Sequence, residues 1–295
     1  MHHAPIDRYT IRSFLSEAES SLASGPHPER ARRDAETLLL QVLRQNAPDK
    51  NLAWLIAHDD ATLEPESADA LRAFVRRRRA GEPMQYIAGE AEFYGLNFRV
   101  NRDVLIPRPE TEHLVEKLIE LAARFLHPRI VDVGAGSGAI AVALAHALPL
   151  AQITATEISP PALAVAKVNA ARNGVAERIR FLEGDLLQPV AGEVFDLVAG
   201  NPPYVPEGDR DTLSVEVRDY EPLQALMAGP DGLAVYRRLT PAAFRALVPG
   251  GFVAFEIGCG QQEAMQALLE NAGFREVEFV ADLQGIPRVA TAQRR

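Results

Sequence analysis

"RIVDVGAGSGAIAVALAHAL", residues 129–148, decides the fold. Ile130, Val131 and Val133 make a short apolar run of the kind that forms a strand buried on both faces, as in a parallel sheet. From Ala139 onward small and apolar residues continue without a breaker, which predicts a buried helix. Gly134, Ala135, Gly136, Ser137 and Gly138 stand between the two. Glycines permit the tight turn and let a ligand approach the backbone at the point where strand passes into helix. The spacing Gly134-x-Gly136-x-x-Ala139 also satisfies the dinucleotide-binding pattern with alanine in third place.

The same alternation continues downstream. "QITATE" reads as a strand and "PPALAVAKVNAARNG" as a helix, with Pro160 or Pro161 near its start and Gly174 just past its end. "RIRFLEGD", "FDLVAGNPP" and "GFVAFEIG" read as strands, and "GLAVYRRLTPAAFRALV" and "GQQEAMQALLENAG" as helices. Strands follow near "REVEFVADL" and "RVATAQ". Such order implies an α/β, mostly parallel, doubly wound sheet, whose ligands bind outside the carboxyl ends of the strands.

The tips of these strands carry the candidate ligand groups. Glu157 ends the second strand, where a carboxylate can accept both hydroxyls of a ribose. In "EGDLLQ", Asp185 can face an adenine amino group and Leu186 can pack on its ring; taken alone, Asp185 is equally a turn aspartate. Glycine turn, Glu157 and Asp185 together fit an adenosine ligand, for which a nicotinamide dinucleotide and S-adenosylmethionine compete.

"FDLVAGNPPYVPEG", residues 195–208, separates the two. A core strand stops in Asn201, Pro202, Pro203 and Tyr204, and prolines cannot continue a sheet. Hydride transfer has no evident use for this tetrad, whereas methylation of a planar nitrogen does. An amide or nucleobase amino nitrogen delocalises its lone pair and is a poor nucleophile. The side-chain oxygen of Asn201 and the carbonyl of Pro202 can each accept one N–H of such a group, and the proline rings hold both rigid. Tyr204 can stack on the planar group. This is catalysis by positioning and pre-organised electrostatics, with no metal and no covalent intermediate. No dedicated general base is evident, and the proton can leave to water after transfer.

The first third of the chain differs. Residues 1–82 carry helical periodicity and almost no strand signal: "RARRDAETLLLQVLRQN" sets Ala35, Leu38, Leu39, Val42 and Leu43 on one face. "EPESADALRAFVRRRR" starts with Pro65 and repeats Leu71, Phe74 and Val75, so a small bundle of four or five helices is expected. In residues 83–107, Tyr86–Ile87, Phe93–Tyr94, Phe98 and Val100 suggest short strands with Gly89 and Gly95 at turns, a hairpin linker to the domain of residues 108–295.

Composition narrows the partners. The chain has 295 residues, 47% hydrophobic and 24% charged, with a formal net charge of −9 and one cysteine, Cys259. One cysteine allows no disulfide framework and suits a reducing cytosol. No apolar stretch is long enough to span a bilayer, so neither a membrane nor a signal peptide is expected. Residues 1–82 hold 12 basic and 13 acidic residues, the remainder 19 and 27. So acidic a second part is a poor collector of phosphate backbone, and direct DNA binding is not expected. Arg76–Arg79 is the exception; it reads as a solvated helix C-terminus, with RNA or an acidic partner as the other reading. His2 and His3 read as a frayed terminus rather than a metal pair, and His113 as a helix-face residue.

With "DVGAGSG", "GNPPYV" and an acid ending the second strand, the chain resembles the class I S-adenosylmethionine-dependent N-methyltransferases. With "GEPMQYIAGEAEFYGLNFRV", "VLIPRPETEHLVE" and "DLQGIPRV" added, it is more closely similar to the peptide chain release factor glutamine methyltransferases, over nearly its whole length. "IPRPETE", Ile106–Glu112, is the most family-specific segment. The resemblance implies a Rossmann-like class I methyltransferase sheet with a small all-helical N-terminal domain; since residues 1–82 carry none of the proposed chemistry, they are expected to dock the substrate. It implies S-adenosylmethionine as methyl donor and, as substrate, the glutamine amide nitrogen in the Gly-Gly-Gln motif of class I release factors, in the cytoplasm. By the same resemblance Gly134–Gly138 form the donor loop, Glu157 binds ribose and Leu186 flanks adenine. Asn201 touches donor and substrate, and Asn201–Tyr204 hold the glutamine amide. The alternatives are a ribosomal-protein glutamine or a nucleic-acid base as the methylated group.

Overall fold

The structure, a computed structural model, describes residues 10–44 and 47–295. His2 and His3 lie outside the described residues. The chain forms two compact units. One comprises the described residues up to Gly89 together with Ser214–Tyr220; the other comprises Glu90–Leu213 and Glu221–Arg295.

The first unit is helical, as the periodicity predicts. Helix α1, Ile11–Leu22, begins at Thr10, whose hydroxyl accepts the Ser13 N–H, and buries Ile11, Phe14, Leu15, Ala18 and Leu22 along one face. Helix α2, Ala31–Arg44, buries the five apolar residues expected of it. Helices α3, Leu52–Ala57, and α4, Pro65–Arg79, lie within the region read as a helical bundle, and α5, Met84–Ala88, lies in the segment read as strands. Tyr86 and Ile87 therefore lie in a helix, not a strand. The α5 turn stops at Gly89, which takes the left-handed φ of +78° that ends helices most readily in glycine. The arginine run is not uniformly solvated. Arg77 is tied to Glu82 at 2.8 Å, and Arg78, 2% exposed, donates to Asp34 of α2 at 2.6 Å. Only Arg76 and Arg79 of the run are exposed.

The second unit opens with an antiparallel hairpin, β1, Glu90–Phe93, and β2, Leu96–Arg99. Its two-residue turn places Tyr94 at φ +52° and Gly95 at +69°, the doubly left-handed geometry that matches the twist of a hairpin. Phe93 and Phe98 are buried in this unit's core, so the hairpin is part of its packing. Helix α6, Thr111–Ala122, follows, and then the alternating series: β3, Arg129–Val133; α7, Ala139–Ala147; β4, Gln152–Glu157; α8, Pro160–Arg172; β5, Ile179–Glu183; β6, Phe195–Gly200. A six-residue helix, α9, Val215–Tyr220, belongs to the first unit. The second unit resumes with α10, Ala234–Ala246; β7, Leu247–Glu256; α11, Gln262–Asn271; β8, Arg275–Ala281; and β9, Pro287–Gln293.

The sheet order is β5-β4-β3-β6-β7-β9-β8. Strands β3 to β7 run parallel; β9 is antiparallel to both β7 and β8. Apolar side chains leave both faces: Ile130 joins a core with α6 and α7, while Val131 and Val133 join one with α10 and α11. The chain runs outward from β3 through β4 to β5, then returns to β6 on the other side of β3. That reversal leaves a crevice at the carboxyl ends of β3, β4 and β6, where open α/β sheets bind ligands.

Candidate active site

The glycine turn after β3 is fixed by backbone bonds. The N–H groups of Gly134 and Ala135 both donate to the Thr156 carbonyl, at 2.9 and 3.0 Å, which pins the turn to β4. Gly134, Gly136 and Gly138 have φ of +76°, +55° and +81°. A Cβ on Gly134 or Gly136 would meet open space, whereas one on Gly138 would lie 3.1 Å from Ala166 of α8. The first two glycines thus leave room for a ligand, and the third lets α7 pack closely on α8. Asn169 of α8 braces the turn through a 2.8 Å bond to the Ser137 carbonyl.

Glu157, 7% exposed at the tip of β4, accepts the Gly136 N–H at 2.8 Å and the Ser159 N–H at 2.9 Å. Each oxygen keeps lone pairs for a further donor. The Glu157 carbonyl accepts the Gly184 N–H at 2.9 Å, which brings the loop after β5 alongside. In that loop Asp185 pairs with Arg238 of α10, and Leu186 adopts φ +51°, unusual for a branched residue and typical of functional loops.

Gly200 ends β6 where a Cβ would sit 2.8 Å from the Val133 carbonyl, so only glycine allows β6 to close on β3 here. The chain then turns into Asn201, Pro202 and Pro203 beside the glycine turn. These three, with Gly134–Ser137, Glu157, Asp185 and Leu186, line one crevice of about 360 Å³, within the usual range for small-molecule sites. Gly138 and Tyr204 are not in its lining. Tyr204 is half-buried. Its hydroxyl is 3.4 Å from Oε1 of Glu256, and Gln261 bonds its carbonyl at 2.9 Å.

Glu256 was not read from the sequence as a site residue. It ends β7, 2% exposed. Its Oε2 accepts the Thr111 hydroxyl at 2.5 Å, and the Thr111 oxygen accepts Nδ2 of Asn201 at 3.2 Å. Burial first, with the Glu110 charge adding to it, pushes the Glu256 carboxyl up to about 7 against the bonds from Thr111, Tyr204 and Asn201. Burial and that same carboxylate push the Tyr204 phenol up. The available signal was an acid closing an otherwise apolar run, "GFVAFE". Asp132 of β3 is a second such group. It is fully buried, with Oδ2 accepting the Ala141 N–H at 3.1 Å and Oδ1 without a partner, and burial raises it to about 7.

The segment "IPRPETE" wraps this cluster. Arg108 donates to buried Glu221 at 2.6 Å, Thr111 holds Glu256, and Glu112 accepts the Tyr94 N–H at 2.8 Å. Arg108 and Thr111 also line the crevice.

Residues 13–89 match the family described as the PrmC N-terminal domain, and residues 109–217 the methyltransferase small domain. The chain is 42% identical to a release factor glutamine methyltransferase of Geobacter sulfurreducens over 95% of both chains. It is also 42% identical to one of Moorella thermoacetica over 97% of this chain and 99% of the other. This chain belongs to the release factor glutamine methyltransferase family. A solved methyltransferase of Pyrococcus furiosus, 19% identical, shares the fold with a TM-score of 0.50 over 76% of this chain and 97% of that one. Members of the family use S-adenosylmethionine as methyl donor, and the crevice fits it. Open space faces Gly134 and Gly136, a buried carboxylate stands at the tip of β4, and an apolar side chain, Leu186, is in the lining.

Proposed function

We propose that this chain methylates the side-chain amide nitrogen of the glutamine in the Gly-Gly-Gln motif of class I peptide chain release factors. One observation carries the reading: Asn201, Pro202 and Pro203 line the same crevice as the glycine turn and Glu157. When bound, S-adenosylmethionine supplies a sulfonium methyl group to a nitrogen lone pair. Gly134–Gly138 form the turn that receives it, Glu157 takes the ribose hydroxyls, and Asp185 and Leu186 flank the adenine. Oδ1 of Asn201 and the carbonyl of Pro202 accept the two amide hydrogens, which holds the nitrogen in one orientation. Tyr204, outside the crevice lining, ends this loop with its hydroxyl 3.4 Å from Glu256, and we assign its ring to stacking on the glutamine amide.

The helical unit carries none of these groups, and we assign it to docking the release factor. The partner is a protein rather than DNA, in keeping with the net charge of −9. No helix among the described residues is long and apolar enough to cross a membrane, and a release factor substrate puts the enzyme in the cytoplasm.

Transfer of tritiated methyl to purified release factor, ribosomal protein and RNA, followed by peptide mapping, tests the reading. Label on the motif glutamine is expected; label on RNA or on ribosomal protein alone overturns it. Docking is tested by comparing kcat/KM for intact release factor and for a short Gly-Gly-Gln peptide. Equal values would remove the docking role.

A further inference from the structure

The crevice residue Asn201 is useful only one way round. Its oxygen accepts an amide hydrogen; its NH₂ would repel one. The two ends of a carboxamide have nearly the same shape, so packing alone does not choose between them. Hydrogen bonding does. The Thr111 hydroxyl has one proton, and its oxygen lies 2.5 Å from Oε2 of the buried Glu256 carboxyl, to which it donates. With that proton committed, the Thr111 oxygen can only accept, and the group 3.2 Å away on Asn201 is Nδ2, the end of the amide that also bonds the Glu256 carboxyl. Among the described residues no donor bonds Oδ1 of Asn201.

We propose that Glu256 and Thr111 are positioning residues that orient the Asn201 carboxamide, so that its oxygen is left to accept the substrate amide. The relay rests on the proposed amide methylation for its purpose, and on three side chains, from α6, the loop after β6, and β7, for its geometry. Neither Glu256 nor Thr111 needs to touch the reacting atoms. A neutral Glu256 reverses the chain of donors: it donates to Thr111, which then donates to Asn201 and turns the NH₂ outward. The groups that face this carboxyl are Thr111 and Glu110 from α6, Asn201 and Tyr204 after β6, and Tyr236 of α10, with Arg108 and Arg288 acting on Tyr204. Its position near 7 agrees with a switch of donor direction in the neutral range.

Three variants of the full chain test the relay. Thr111→Val keeps the shape and loses the hydroxyl; Thr111→Ser keeps the hydroxyl. Glu256→Gln keeps the volume and can donate to Thr111. Single-turnover transfer to release factor should fall at least about tenfold in Thr111→Val and Glu256→Gln, and recover to within about threefold of the parent in Thr111→Ser. Calorimetric affinity for S-adenosylmethionine should fall by less than the transfer rate in Thr111→Val and Glu256→Gln, because Glu157 and the glycine turn are untouched while Thr111 and Asn201 border the same crevice. The parent rate should decline as pH falls below 7, and the Glu256→Gln rate should not. Independently of any substrate, the Asn201 side-chain NH₂ resonances, assigned by their loss in Asn201→Asp, should exchange with solvent faster in Thr111→Val than in the parent. Parent-like transfer in Thr111→Val, or unchanged Asn201 NH₂ exchange, overturns the relay. If the parent itself fails to methylate release factor, the proposed substrate is wrong, while the exchange measurement still decides the relay.

Discussion

Asn201 carries the sharpest residue-scale prediction. If it supplies one of two fixed acceptors, Asn201→Ala should slow single-turnover transfer by about a hundred- to a thousandfold, the cost of losing one pre-organised contact of about 2.7–4 kcal/mol. A variant within threefold of the parent at saturating donor and substrate would exclude that role. Glu157→Ala should act on binding instead. Losing charge-assisted bonds to two hydroxyls costs about 1.5–3 kcal/mol, so the donor Kd should rise about ten- to a hundredfold by calorimetry. Because Glu157 also accepts the Gly136 N–H, Glu157→Gln should lose less than Glu157→Ala. Equal affinity in parent and both variants would remove Glu157 from the donor site. These residues were legible because each interrupts an apolar strand with a polar or rigid group. Glu256 and Thr111 were not, since their meaning lies in a bond between positions 145 apart in the chain.

At the scale of elements, periodicity was enough for α2, α4 and the βα alternation, where one apolar stripe per element decides its burial. It fails where ionic contacts do the holding. Helix α9, "VEVRDY", has no buried residue, and nothing in the sequence marks it for the first unit. Its Glu216 is bound by Arg78, which also pairs with Asp34. The arginine run is therefore partly an internal clamp: one of its four guanidinium groups is buried between two carboxylates. Arg78→Met fills a similar volume but strips Asp34 of its guanidinium and leaves Glu216 with only His27 among the described residues, 3.4 Å away. Removing one partner of a buried pair typically costs about 3–5 kcal/mol, so the denaturant midpoint of the helical unit should fall by that equivalent, while donor affinity stays near the parent value. A loss under about 1 kcal/mol would mean that the clamp is not structural. "IPRPETE" has the opposite history: visible in sequence as a family mark, it acquires reasons only when Arg108, Thr111 and Glu112 each meet a partner from another element.

At the scale of the whole molecule, two buried carboxylates pushed toward neutrality make stability depend on pH. Asp132 and Glu256 are both raised to about 7 in the folded chain, from ordinary values of 3.8 and 4.5. Between pH 4 and 7 the folded state therefore binds more protons than the unfolded one, and stability falls as pH rises through that window, then levels off above it. Asp231 and Asp282 are held low by Arg237 and Arg288, so their contributions are lost only at pH values below this window. A tenfold change in proton affinity is worth about 1.4 kcal/mol, so the two raised carboxyls together account for several kcal/mol at most. At about 2–4 °C per kcal/mol for a domain of this size, the protein should melt several degrees higher at pH 5 than at pH 8. The acidic chain as a whole also repels itself more as pH rises, and one substitution separates the two causes. Asp132→Asn can keep an oxygen toward the Ala141 N–H while its amide takes the side where Oδ1 has no partner. The variant changes the net charge by one in nine but removes one of the two buried titrations. It should melt higher than the parent at pH 8 and match it more closely at pH 5, which flattens the profile by about half. Parallel profiles for parent and variant would assign the pH dependence to the surface, and a parent that melts higher at pH 8 than at pH 5 would contradict the raised carboxyls themselves.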